Sequence, residues 1–107
     1  MHQADAGFYL GTFSGIFTGK AYLILAADGK GFTYLTTPAI GVVSTFGIID
    51  SANSLSVTTS LTLPGSTAPT PVLISGSLNT TDHVFSGSYS LSGIKLGTFS
   101  LTRLYAQ

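Results

Sequence analysis

The 107-residue sequence contains no cysteine, no tryptophan and no glutamate, so its four acidic residues are all aspartates. Without cysteine, the chain can form neither a disulfide framework nor a thiolate zinc site, and it has no thiol nucleophile. Only 7% of the residues are charged, and four basic residues balance the four acids to give zero net charge. This balance argues against a nucleic-acid-binding surface and against a charge-rich disordered segment. It also leaves too few charges to cover the wet face of a long amphipathic helix.

Long apolar runs are missing as well. No stretch approaches the roughly 20 apolar residues of a membrane-spanning helix, so no transmembrane helix is predicted. Residues 1–6 lack the apolar core of a signal peptide. We interpret them as a disordered or appended terminus before a single β-barrel domain at 7–107. Because a hydroxyl-rich composition poor in Lys and Glu is typical of exported bacterial β proteins, we expect a secreted, periplasmic or cell-surface protein.

Small hydroxyl residues, glycine and β-formers dominate what is present. Ser and Thr account for 29 of 107 residues, beside 13 Gly. Turn signals such as Asp28-Gly29 and Ser92-Gly93 separate eight runs rich in Val, Ile, Phe, Tyr and Thr. These runs predict strands at 7–18, 20–27, 31–37, 39–49, 54–63, 71–78, 83–91 and 94–105.

The connections between these strands are too short for crossover helices, so neighbouring strands must pair antiparallel. The predicted fold class is therefore all-β, an antiparallel up-and-down meander. Such a meander can close into a roughly eight-stranded barrel, and closure would pair strand one with strand eight.

The two halves of the predicted barrel differ in their faces. Strands five to eight alternate, with apolar residues such as Leu55 and Phe85 opposite a face of Ser and Thr. Strands one, two and four are apolar on both faces, as in residues 21–27. A strand of that kind is usually covered on both faces, so this half is predicted to pack against another subunit or domain. One alternative is that single Val and Ile residues are simply exposed on this half. The other is a lipid-facing barrel, but the Ser and Thr on the outer face of strands five to eight argue against it.

Residues near the two ends of the chain carry a family resemblance. Gly11-Thr12-Phe13 on strand one and Arg103 on strand eight resemble the Gly-x-Trp motif and closing cation of the calycin superfamily, with Phe replacing Trp. This superfamily contains the lipocalin and avidin type of barrel. The resemblance implies an interior that carries a small apolar ligand, with the Arg103 guanidinium over the Phe13 ring. Such stacking contributes roughly 0.5–2 kcal/mol. The alternative is a meander with an ordinary aromatic core and a snorkelling arginine.

Few residues could support catalysis. Asp28, Asp50 and Asp82 lie in turns, where Asp bonds its own backbone, and Asp5 lies in the terminal segment. His83, beside Asp82 at the start of strand seven, is the one credible titrating side chain. One His with scattered Asp residues cannot form a metal site. A Gly-x-Ser-x-Gly elbow and a phosphate-binding loop are also missing. We therefore predict no catalytic residue, no metal ligand and no cofactor.

Aromatic residues provide the remaining candidate, a ligand cavity inside the barrel. The predicted ligand-binding residues combine aromatic area with polar tips: Tyr9, Phe13, Tyr22, Tyr34, His83, Phe85, Tyr89 and Arg103. Phe99 and Tyr105 add further aromatic area. Much of this surface would serve equally well as plain core.

Four functions follow from these patterns. The favoured one is a non-catalytic exported module that assembles through strands one to four, as a homo-oligomer or against a neighbouring domain. The alternative is a calycin-like carrier of a small apolar ligand. A barrel enzyme using His83 with a Tyr or Asp82 ranks lower. A functional-amyloid subunit ranks last, because two Asn and two Gln are too few for amide ladders.

Overall fold

The computed structural model describes residues 5–37, 41–50, 52–62, 65 and 67–106. The chain is all-β, and its elements in order are β1 (Gly7–Gly15), β2 (Gly19–Leu25), β3 (Lys30–Thr37), β4 (Gly41–Ile48), β5 (Ser54–Leu61), β6 (Thr70–Asn79), β7 (Val84–Leu91) and β8 (Ile94–Ala106). Every pairing between these strands is antiparallel. The predicted up-and-down meander is therefore confirmed.

Several strands are shorter than predicted. β1 ends at Gly15, whose φ of 115° bends the chain into the turn before β2. β2 ends at Leu25, because the Ala26 amide turns to the Lys30 carbonyl at 2.8 Å and closes a hairpin. Predicted positions 39, 40 and 63, and Pro64 of the long loop, lie outside the described residues.

The strands form one sheet in the spatial order β4-β3-β2-β1-β8-β7-β6-β5. β1 pairs with β8 over its whole length, from Gly7 opposite Ala106 to Gly15 opposite Gly97. The predicted closure of the first strand on the last is thus confirmed, and the barrel is nearly closed. Gly11 permits this closure, because a Cβ there would collide with the Ser100 carbonyl oxygen on β8.

The hydrogen-bonded order ends at β4 and β5, two strands that are consecutive in the chain. Their connecting turn is closed by the Asp50 amide, which donates to the Ser54 carbonyl at 3.0 Å. Within the described residues, no ladder joins β4 to β5. We call this interruption the β4–β5 seam.

Inward-facing residues of the strands form a single core. Residues alternate between buried and exposed along β2, β6 and β8, as a half-buried strand requires. The core residues are Tyr9, Phe13, Ala21, Leu23, Leu25, Ile49, Leu55, Val72, Ile74, Leu78, Phe85, Tyr89, Phe99 and Leu101. This core fills most of the barrel interior.

Candidate functional site

Apolar side chains stand in register on the outer surface of β1 to β4. Phe8, Ile24, Phe32 and Phe46 lie directly opposite one another on four adjacent strands. A second row, Leu10, Tyr22 and Tyr34, runs beside the first. At the β8 side, Tyr105 lies opposite Phe8. We call this surface the apolar face, comprising Phe8, Leu10, Tyr22, Ile24, Phe32, Tyr34, Phe46, Ile48 and Tyr105.

The apolar face remains in contact with water although its side chains touch one another. The Phe32 and Phe46 ring centroids are 5.2 Å apart, and those of Phe8 and Tyr22 are 6.2 Å apart. Even so, Ile24, Phe32 and Phe46 keep 49%, 50% and 45% of their surface exposed. Lys20 is the second residue of β2 and Lys30 is the first residue of β3, where it lies opposite Ile48, so charge lies beyond the two rows.

The outer surface of β5 to β8 has the opposite character. Its exposed positions are mostly hydroxyl residues: Ser54, Ser56, Thr58, Ser60, Ser75, Ser77, Ser86, Thr98, Ser100 and Thr102. Leu73 on β6 and Ile94 and Leu104 on β8 are large apolar residues exposed there. Most of the exposed side chains on this surface carry a hydroxyl that can hydrogen-bond to water, so we call it the wet side of the barrel.

Inside the barrel lies an apolar cavity of about 50 Å³. Its walls are formed by Phe13, Phe17, Ala21, Thr33, Leu35, Thr37, Val72, Ile74, Phe85, Tyr89, Phe99 and Leu101. The Tyr89 hydroxyl donates to the Ser14 carbonyl at 2.8 Å and accepts from the Phe17 amide at 3.4 Å. These bonds fix the turn between β1 and β2, which places the half-buried Phe17 ring against the cavity.

The opposite end of the barrel holds a polar group of side chains, which we call the polar end: Asp5, Tyr9, His83 and Arg103. The Asp5 residue is only 3% exposed, and its Oδ1 lies 3.3 Å from His83 Nε2. The Tyr9 hydroxyl donates to the Asp5 carbonyl oxygen at 2.6 Å. Arg103 donates from Nη1 to the Ala6 carbonyl at 3.5 Å. β1, β8 and the turn before β7 therefore hold the segment before β1 in place.

The environment of the polar end also changes how Tyr9 ionises. Burial raises the pKa of Tyr9 above its ordinary value, since the phenolate would lose its hydration. The Arg103 charge opposes this pKa increase, whereas the Asp5 charge adds to it. Among the described residues, no group of three or more His, Cys, Asp or Glu side chains could hold a metal ion. The contacts of the polar end therefore attach the segment before β1 to the barrel.

The structure divides the predicted ligand-binding residues among three places. Tyr9, Phe13, Phe85 and Tyr89 are buried in the interior, and all but Tyr9 line the cavity. His83 and Arg103 lie at the polar end. Tyr22 and Tyr34 lie opposite each other on the outer apolar face. Along β2, Tyr22 alternates with the buried residues Ala21 and Leu23. The eight residues therefore do not form one site.

The calycin resemblance implies that Arg103 stacks on Phe13. This prediction is wrong, because the two residues do not lie opposite each other. Phe13 lies opposite Phe99, whereas Arg103 lies opposite Tyr9. Four residues along a strand separate the two positions by about 13 Å. The Phe13 ring instead packs edge-on against Tyr89, with centroids 6.2 Å apart. The guanidinium therefore closes the barrel end that lies away from Phe13.

Sequence reasoning missed Asp5 and Phe17. Asp5 was assigned to the terminal segment, yet it is the partner of the His83 imidazole. Asp82, the predicted neighbour of His83, instead accepts from Asn79 Nδ2 at 3.4 Å within the β6–β7 turn. No local pattern marks the Asp5 carboxylate, because its partner His83 lies about 80 residues later in the chain. The apolar pattern of β1 continues to Phe17 and predicts that Phe17 is buried. The same pattern also predicts a strand to residue 18, whereas β1 ends at Gly15.

Comparison with protein-family models, with curated proteins and with solved structures finds no match to this chain. The fold, the apolar face, the interior cavity and the polar end are therefore the basis for a functional proposal. In the part of the chain that the structure describes, no helix has the length and apolarity needed to cross a membrane.

Proposed function

We propose that this protein is an exported, non-catalytic assembly module that associates with a second copy of itself through the apolar face. The observation that carries the proposal is the row Phe8, Ile24, Phe32 and Phe46 on four adjacent strands, in which Phe8 is half-buried and the other three are exposed. Contiguous apolar patches of several hundred Å² on soluble proteins mark interaction sites, whereas single exposed apolar residues do not. Export is supported by the hydroxyl-rich, nearly uncharged composition.

The chemistry of the apolar face favours a second copy as the partner. The two rows that contain Phe8 and Leu10 have no charged side chain, and Lys30 lies opposite Ile48 at one end of the face, so the centres of two such faces meet without like-charge repulsion. Phe and Tyr, which dominate the rows, are enriched at the centres of protein interfaces. Two sheets of the same twist also pack face to face at about 10 Å, with strands crossing at about 30°. Lys20 and Lys30, at the margins, would keep their hydration.

The size of the apolar face sets the expected affinity. The apolar face spans five strands about 4.8 Å apart and up to three outward positions about 6.7 Å apart, the third being that of Ile48, which gives an area of about 400 Å² per copy. A pair of copies would bury about 800 Å² in total, which is below the roughly 1,000 Å² expected of a stable specific interface, so this contact alone is weak. We therefore expect a dissociation constant in the range of tens of micromolar for this contact alone.

The proposal is tested by sedimentation equilibrium between about 1 and 300 µM, a range that spans the expected affinity. The wild type should sediment as a species heavier than the 11.0 kDa chain at high concentration. Phe32→Ser should weaken association at least tenfold, because Phe32 is central to the row. Leu73→Ser is the matched control, since Leu73 is an exposed apolar residue on the wet side. A wild type that stays monomeric throughout would overturn the proposal.

A second candidate is a carrier of a small apolar ligand, of the calycin-like kind that Gly11-Thr12-Phe13 and Arg103 resemble. The cavity of about 50 Å³ with its apolar walls favours this function. A cavity of this size accepts a guest of xenon size, and a larger guest requires displacement of Phe17.

Xenon binding, followed through the methyl NMR signals of Val72 and Ile74, tests the carrier function. Saturable shifts in the wild type would support it, and Phe17→Ala should enlarge the range of guests to benzene. Ala21→Phe should fill the cavity and abolish the shifts, since Ala21 lies in its wall. Unchanged methyl signals in both the wild type and Phe17→Ala would exclude a carrier.

A further inference from the structure

The two strands that border the β4–β5 seam are open edges of the sheet. β4 pairs with β3 alone, and β5 pairs with β6 alone, among the described residues. An open edge presents unpaired N–H and C=O groups to solvent, and a strand from another chain can pair with them. The seam is therefore the one place where the described sheet can be extended by hydrogen bonds.

Neither edge carries the features that normally prevent such pairing. Proteins protect open edges with charged residues, prolines, bulges or very short strands. β4 reads Gly-Val-Val-Ser-Thr-Phe-Gly-Ile and β5 reads Ser-Leu-Ser-Val-Thr-Thr-Ser-Leu, without charge or proline. Each strand pairs with its inner neighbour over eight consecutive residues without a register shift. The two register shifts of the barrel lie on the β1–β8 and β7–β8 pairs instead.

The two edges differ in what lies beside them. β4 carries Phe46 and Ile48 on its outer surface, so the apolar face reaches this edge. β5 carries exposed Ser56, Thr58 and Ser60, whose hydroxyls are hydrated. Close to the turn, the Leu55 side chain lies over Gly47, where an added Cβ would come within 2.5 Å of Leu55 Cδ1. This contact fills the base of the seam, so the part of β4 farther from the turn, around Ser44, is the part left for pairing.

We propose that β4 pairs antiparallel with β4 of a second copy about a twofold axis, so that two apolar faces become one continuous surface. This inference rests on the proposed function, because it names how copies combine to enlarge the apolar face. One face supplies about 400 Å², and two joined faces supply about 800 Å² per dimer. Stacking two such dimers buries about 1,600 Å², the standard size of a stable interface. The assembly is then a tetramer, a dimer of edge-paired dimers.

Light scattering and hydrogen exchange on the full chain test this arrangement. The wild type should reach four times the 11.0 kDa chain mass at high concentration. Ser44→Lys places a charge at the middle of β4 and near its copy across the axis, so it should reduce the assembly to two chains. Thr58→Lys is the matched control, because it makes a comparable change at the middle of the other edge and should leave four chains. In the wild type, β4 amides should become protected as concentration rises, while β5 amides stay exchangeable.

The outcomes separate the two proposals. If the apolar face assembles without edge pairing, the wild type forms two chains, Phe32→Ser yields monomers, and β4 amides exchange as rapidly as β5 amides. That result overturns the edge pairing alone. If edge pairing occurs without face stacking, the wild type forms two chains with protected β4 amides, and Phe32→Ser has no effect. That result overturns the proposed function and retains the β4 pairing.

Discussion

At the scale of single residues, the contact between Asp5 and His83 places a buried carboxylate beside an imidazole. The carboxylate is almost fully buried, and the imidazole 3.3 Å away compensates part of its lost hydration. We predict that His83→Gln lowers the free energy of unfolding by about 1–2 kcal/mol, because the buried carboxylate loses a partner. Asp5→Asn should cost less, since it removes the charge that needs compensation.

Urea unfolding of both single variants and of the double variant measures this contact. The double variant should be more stable than the sum of the single losses implies, with a coupling of about 0.5–1.5 kcal/mol. Strictly additive losses would mean that the two side chains do not interact in solution.

Tyr9 makes stability depend on pH in the alkaline range. Its pKa in the folded protein is raised above the ordinary value of 10.0, chiefly by burial. The unfolded chain therefore releases this proton first, so the stabilisation is complete below pH 10 and falls as the pH rises through the raised pKa. We predict that the free energy of unfolding falls more steeply above pH 10 in the wild type than in Tyr9→Phe.

Urea titrations at pH 8 to 11.5 in half-unit steps provide the measurement. Tyr9→Phe should be about 1 kcal/mol less stable near pH 8, because it loses the 2.6 Å bond to the Asp5 carbonyl. The two curves should then converge as the pH rises. Parallel curves would show that Tyr9 ionises alike in the folded and unfolded chains.

At the scale of elements, the turn between β7 and β8 has a backbone that favours particular residues. Ser92 and Gly93 have φ values of 50° and 81°, and Leu91 pairs with Ile94 across them. This is the geometry of a two-residue hairpin of type I′, in which Asn-Gly is preferred over Ser-Gly. We predict that Ser92→Asn stabilises the protein by about 0.5 kcal/mol, and that Gly93→Ala destabilises it by about 1 kcal/mol.

Thermal unfolding followed by circular dichroism resolves both effects, since 1 kcal/mol shifts Tm by roughly 4–8 °C in a domain of this size. Ser90→Asn on the adjoining strand serves as the control for a change of composition outside the turn. Equal effects of Ser92→Asn and Ser90→Asn would contradict the assignment of the stabilisation to turn geometry.

Elements and turns of this kind were largely predictable because their causes are local. Alternation with a period of two marks the strands, and Ser92-Gly93 marks a hairpin, so the eight strands were found. The end of β1 was not predictable, because Ile16 and Phe17 continue its apolar pattern. What ends the strand is Gly15 and the distant Tyr89 hydroxyl, which bonds the turn carrying Phe17. The burial of Asp5 was not predictable for the same reason, since its partner His83 is remote in sequence.

At the scale of the whole molecule, the position of the seam is the property least visible in the sequence. The short turn at residues 49–53 suggests an ordinary hairpin between β4 and β5, yet the ladder there is absent from the described residues. The termini of the barrel are joined instead, through the β1–β8 ladder. The outer apolar rows were foreseen on strands one to four, but their alignment depends on the register between strands. Only that register shows that one row is formed by Phe8, Ile24, Phe32 and Phe46.

This topology makes a prediction about folding rate. Gly11 pairs with Leu101, so the central ladder of the barrel joins residues about 90 positions apart. Contacts of such separation slow folding, because the loop must close before the contact stabilises it. We predict that a circular permutant with residue 107 joined to residue 1, and new ends between residues 51 and 52, folds several times faster than the wild type. In that chain β1 and β8 become sequence neighbours, about 17 residues apart at the same pair.

The stability of this permutant should stay within about 2 kcal/mol of the wild type, because the new ends interrupt no described ladder and remove only turn bonds such as Asp50 to Ser54. The matched permutant has the same joint but new ends between Thr80 and Thr81, within a turn whose flanking strands β6 and β7 are paired. It should fold more slowly than the first permutant, since the β6–β7 ladder then becomes the long-range one. Stopped-flow refolding with a fluorescence or circular dichroism signal distinguishes the two chains. Equal refolding rates for both permutants would mean that the β4–β5 seam is paired in solution, which would contradict the open edge on which the tetramer depends.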